Sequence, residues 1–143
     1  MRKLMYFICA ATIALFAANC SGGGSSTPSG VVKSFYSKVQ KGDYEGALAE
    51  MYNNAIATAT DEQKASVKDG DKEKQIKALA AKAKAAVEMK GGMKSYEVTD
   101  ETISEDGQSA TVSIKLVYGD GTNETEKMNC IKKDGKWILN DSL

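Results

Sequence analysis

Three Asp-Gly dipeptides, at 106–107, 120–121 and 134–135, constrain the fold of this chain more than any other feature. Asp-Gly accepts the positive φ angles that tight hairpin turns require. Between these turns the apolar residues recur with a period of two, the period of a strand. Tyr96 and Val98 open a strand that reaches about Ile103, and Ala110, Val112, Ile114, Leu116 and Tyr118 share one face of a second. On the third, Glu126, Met128 and Cys130 lie on one side, with Thr125, Lys127, Asn129 and Ile131 on the other. Lys136-Trp137-Ile138-Leu139 supplies the fourth. Strands joined this closely pair with their neighbours, so the pattern predicts a four-stranded antiparallel meander.

Upstream of Gly92 the period is helical. Thr27-Pro28 reads as an N-cap followed by a first-position proline. Val31, Val32, Phe35, Tyr36 and Val39 then form one apolar face, and Gly42 ends the helix. Asp43 caps a short second helix carrying Tyr44, Ala47, Leu48 and Met51. Thr60 and Gln63 have capping-box spacing, with an interruption expected near Gly70. From Lys72 to Lys90 the stripe Ile76, Leu79, Ala80, Ala83 and Val87 predicts a long helix whose lysines form a solvated face. Helices first and strands after is the α+β order: N-terminal helices packed on a curved sheet.

The N-terminus has a separate logic. Arg2 and Lys3 precede Leu4–Ala18, a run without charge, which is the layout of a secretory signal. Ala17-Ala18-Asn19-Cys20-Ser21 resembles a lipobox. The resemblance implies a signal peptide over 1–19 and a lipid-modified Cys20 as the first mature residue. More than one acyl chain is what stable anchoring requires. Ser21-Gly22-Gly23-Gly24-Ser25-Ser26 reads as a flexible tether, so 20–27 links lipid to domain and 28–143 is the domain. Ser21, where Asp would act as a retention signal in enteric-type lipoproteins, implies the outer membrane. No acidic cluster resembling a surface-export signal follows, which favours the periplasmic face.

Composition excludes several functions. Formal net charge is +0, and losing Arg2 and Lys3 with a signal peptide leaves a slight acidic excess. Nucleic acid is therefore not an expected partner. The chain has no His, the commonest general base and metal ligand. Of its 3 Cys, Cys9 leaves with the signal and Cys20 is lipidated. Cys130 remains without a disulfide partner and reads as a buried structural thiol. No metal and no cofactor is expected.

Val31-Val32-Lys33-Ser34-Phe35-Tyr36 followed by Lys41-Gly42-Asp43-Tyr44-Glu45-Gly46-Ala47 resembles the opening of nuclear-transport-factor-2-like domains. Ile103–Gly107, Ala110–Val112, Tyr118–Thr122 and Lys133–Trp137 resemble a group of small Gram-negative lipoproteins carrying that cone-shaped domain. The resemblance implies a pocket between curved sheet and helices. Isomerase members place a Tyr and carboxylic acids there. Tyr36, Tyr52, Tyr96, Tyr118 and Trp137 are the candidate lining residues. Core packing is the more ordinary role for such side chains. Asp100 is the candidate buried acid, because the face of Tyr96 and Val98 continues to it; an exposed strand-end Asp is the plainer reading. No other carboxylate is expected on the inward face.

Three functions stay open at this point. One is a non-catalytic envelope lipoprotein that binds a small apolar ligand or a peptide. Another is a protein–protein module or dimerising scaffold, although Thr111, Ser113, Lys115, Thr125, Lys127 and Asn129 make the outer sheet face polar. The third is a proton-transfer enzyme of the ketosteroid-isomerase type. No oligomeric state is legible.

Overall fold

The computed structural model describes residues 25–65 and 69–140, so Cys20 and the proposed signal peptide lie outside the described residues. Helix α1 spans Pro28–Gln40, with the Thr27 hydroxyl accepting from the Gly30 N–H at 3.1 Å. Helix α2, Tyr44–Thr58, starts at Asp43, whose carboxylate accepts from the Gly46 N–H at 2.9 Å. It runs longer than the short helix the sequence suggests, because Ala55, Ile56 and Ala57 extend it without a breaker. Thr60 and Gln63 exchange the two bonds of a capping box, at 2.9 and 3.3 Å, and start α3, Asp61–Ala65.

Helix α4 spans Asp69–Met89. The helical stretch opened at Thr60 ends as α3 at Ala65 and α4 starts at Asp69, with 66–68 outside the described residues; Gly70 sits in the first turn of α4, where the backbone N–H has no intrahelical partner to lose. Ile76 and Ala80 are buried from the expected stripe, while Leu79 stays 36% exposed. Gly91 and Gly92, at φ +80° and +82°, stop the helix.

The sheet is β1 (Met93–Ile103), β2 (Ser109–Tyr118), β3 (Asn123–Lys133) and β4 (Lys136–Leu139), antiparallel in that order. Helix α1 lays Val31, Val32, Phe35, Tyr36 and Val39 over the inward row of β2. Val112 and Ile114 have 0% exposure there. Burying each such side chain contributes about 1.5–3 kcal/mol. Cys130 and Trp137 belong to the same core. On the outer face Thr111 stands opposite Asn129, Ser113 opposite Lys127 and Lys115 opposite Thr125, the polar surface the alternation foretells.

Beyond simple alternation lie an early strand pairing and, in β1, two register shifts, one of them between Met93 and Ser95. Ser25 already pairs with Trp137, through N–H···O bonds of 3.1 and 2.9 Å, so sheet pairing begins ahead of α1. The second shift is a bulge in β1: Val98 faces Ile114, but the next paired residue, Asp100, faces Ser113. Thr99 is the extra residue, and it reverses the side on which every later β1 residue points.

Candidate functional site

The β1 bulge corrects the expectation for Asp100. Paired with Ser113 on the outer face, it is exposed and accepts from the Thr102 hydroxyl at 3.2 Å. Glu101 takes the inward phase instead, opposite Val112. Its carboxylate accepts from the Ser29 N–H at 2.8 Å, in the first turn of α1. A negative charge is favourable at that end of a helix.

The inward acids come from β3, where none was expected. Glu126 faces Ile114 and Glu124 faces Leu116, in the same row as Met128. The Tyr36 hydroxyl donates to Glu126 and has the Met128 sulfur 3.6 Å away. Tyr118 donates to Glu124 at 3.0 Å. The Lys90 ammonium lies 2.6 Å from the other Glu124 oxygen and 4.4 Å from the Tyr118 ring centroid. The Tyr96 ring stands 6.2 Å from that of Tyr36. The fold thus gathers Tyr36, Tyr96 and Tyr118 beside Glu124 and Glu126, at the rim of the sheet's inward face. Carrying the Met128–Glu126 alternation one step further, to Glu124, is the signal that identifies this pair.

The remaining candidates lie elsewhere. Tyr52 is buried on α2, with Lys72 Nζ 5.3 Å from its ring centroid. Trp137 is buried on β4, with Lys132 Nζ at 5.9 Å. None of the five aromatic candidates lines the cavities found along α2 and at the end of the sheet. Two of these are hollows of about 550 and 470 Å³ on α2, and both have Gly46 and Ala49 in their walls.

Electrostatics moves Tyr118 and Glu124 away from neutrality. Burial, then the hydrogen bond to Glu124 and the charges of Glu124 and Glu126, push Tyr118 up to about 12. Hydrogen bonds from Lys90 and then from Tyr118 hold Glu124 below its ordinary value. Unfolded Tyr118 loses its proton near 10, folded Tyr118 near 12. Its contribution to stability is therefore complete below pH ~10 and lost as pH rises toward 12. Phenolate absorbance should show one tyrosine titrating near 12, and Glu124→Gln should bring that titration down without restoring the ordinary value, since burial remains. An unchanged titration in Glu124→Gln would separate the two groups.

Among the described residues no helix is long and apolar enough to cross a membrane, and no cluster of three or more His, Cys, Asp or Glu could hold a metal. No curated protein is significantly similar to the chain. A crystal structure from Campylobacter jejuni, provisionally described as an NTF2-like transpeptidase, is 21% identical with a TM-score of 0.58. The alignment covers 78% of this chain and 95% of that one, a likeness of fold. The intermembrane-space region of the chloroplast protein ARC6 aligns over 80% of this chain and 94% of its own at 17% identity. Its TM-score of 0.31 carries no weight. Residues 20–140 match the family described as a domain of unknown function, DUF4878. With helices leading into an open antiparallel meander, the chain belongs to the DUF4878 family and has an NTF2-like fold.

Proposed function

We propose that the protein is an envelope lipoprotein, anchored through Cys20 to the periplasmic face of the outer membrane. Its NTF2-like domain binds a small apolar ligand or a peptide and catalyses nothing. The observation that carries the non-catalytic reading is the state of the rim acids. Each tyrosine there is hydrogen-bonded to its own glutamate, Lys90 also holds Glu124, and Glu124 and Glu126 both reach solvent. Proton transfer is best served by a group that titrates near the working pH. Tyr118 is driven up and Glu124 down, so that pair moves away from neutrality at both ends. The transpeptidase description of the Campylobacter jejuni protein gains no support from Cys130. That thiol is 1% exposed and lies 3.9 Å from the Pro28 carbonyl.

The test is hydrogen exchange. A β,γ-unsaturated ketone incubated with the mature protein in D₂O should take up deuterium no faster than in buffer. Turnover that disappears in Glu126→Gln would overturn the reading and restore the isomerase.

A further inference from the structure

The β3–β4 hairpin carries Lys132, Lys133 and Lys136, all exposed, around the Asp134-Gly135 turn. The Lys132 ammonium lies 5.9 Å from the Trp137 ring centroid, and Lys133 donates to the Ala57 carbonyl near the end of α2. Among the described residues none of the three forms a salt bridge. Asp134 is the one acid of the hairpin, so the lysines outnumber it and leave a net positive charge at the tip.

This hairpin stands where the chain enters the sheet. Trp137 pairs with Lys132 on one side and with Ser25 on the other. Ser25 is therefore two strand spacings from Lys132, about 10 Å at ~4.8 Å each. From Cys20 to Ser25 the chain reaches at most about 17 Å, at ~3.4 Å per residue. A lipid on Cys20 would thus keep the hairpin within reach of the bilayer surface. The β1–β2 turn lies at the same end of the sheet, since the Gln108 carbonyl accepts from the Lys132 N–H at 2.8 Å. That turn carries Glu105 and Asp106. In the sheet order the basic hairpin comes between the acidic turn and Ser25. Charge therefore runs from negative to positive toward the tether. An anionic surface attracts the near end and repels the far one, which orients the domain.

We infer that the β3–β4 hairpin docks on anionic phospholipid headgroups, with Lys132, Lys133 and Lys136 turned to the bilayer that holds the anchor. The inference rests on the anchoring half of the reading above and adds which face meets the membrane. Ammoniums spread over a hairpin tip suit an extended charged surface better than one small anion. Each lysine held near such a surface shifts the balance toward the docked state about fivefold. The attraction fades within a Debye length, roughly 8 Å at physiological salt.

The test uses the mature protein, purified in detergent and reconstituted into vesicles of phosphatidylethanolamine and phosphatidylglycerol or of phosphatidylcholine alone. Lysine acetylation by an N-hydroxysuccinimide ester is followed residue by residue by mass spectrometry. Lys132 and Lys136 should react about fivefold more slowly on the anionic vesicles. Salt at about 1 M, where the Debye length is about 3 Å, should restore their rates. Lys82 in the second half of α4 and Lys94 at the opposite end of the sheet should react alike on both. Lys132→Gln with Lys136→Gln should remove the protection of Lys133, and Lys132→Arg with Lys136→Arg, which keeps the charge, should retain it. Equal rates on the two vesicle types, for protein that floats with both, overturn the docking and leave the anchor standing. Protection confined to Lys82 and Lys94 overturns it as well, as does equal protection by inorganic phosphate in detergent, the mark of a small-anion site. Protein that floats with neither vesicle refutes the anchor, and the docking falls with it.

Discussion

Gly119→Ala should lower the stability of the domain by about 3 kcal/mol, the upper part of the range for forcing atoms into filled space. A methyl group on Gly119 would sit 2.1 Å from the Gly91 carbonyl oxygen and 2.8 Å from its carbon. Both are backbone atoms and cannot rotate away. The apposition is also bonded: Gly119 N–H donates to Gly92 O and Asp120 N–H to Lys90 O, each at 2.9 Å. Separating the strands would break these bonds and draw Lys90 off Glu124 and Tyr118. The melting temperature should fall on the order of 10 °C. Gly121→Ala is the control. Its φ is +87° but nothing lies within 4 Å of an added methyl, so only the left-handed conformation is penalised, by about 1 kcal/mol. Urea unfolding that gives the two variants equal costs would mean that the α4 terminus and the β2–β3 turn are not in contact.

Cys20→Ser should abolish lipid anchoring in the outer membrane. A hydroxyl in place of the thiol leaves no acceptor for the thioether-linked diacylglycerol, and one acyl chain alone binds a membrane only marginally. Wild-type protein should partition into detergent and incorporate an alkyne fatty acid. Cys20→Ser should incorporate no fatty acid, and should accumulate as precursor or as soluble protein absent from the outer-membrane fraction. A processed Cys20→Ser protein that stays in the outer-membrane fraction would refute the anchor. Because Ser25 is already paired with Trp137, only five residue steps would separate a lipid on Cys20 from the sheet. At full extension that is about 17 Å, at ~3.4 Å per residue. The domain would therefore be held close to the bilayer rather than on a long leash.

Local chemistry was readable in advance. Thr27-Pro28 and Asp43 mark two helix starts, and the Thr60–Gln63 pair marks a third, because a cap is made by residues within four positions of one another. The Asp-Gly turns order the strands for the same reason: a tight turn leaves the following strand only its neighbour to pair with. The face of β2 is equally plain, since unbroken alternation has one solution.

What the tertiary structure decided are the properties that depend on a partner distant in sequence. Asp100 points outward and Glu101 inward because Thr99 is an extra residue against β2, and a bulge exists only where two strands are paired. Glu124 and Glu126 become a site only when α1 brings Tyr36, and the end of β2 Tyr118, within reach of them. Asn54 looks like any polar residue of a helix until neighbouring elements enclose its Nδ2 and, among the described residues, none offers it an acceptor. Alternation predicts which way a side chain points relative to its own strand; only packing fixes what it meets there.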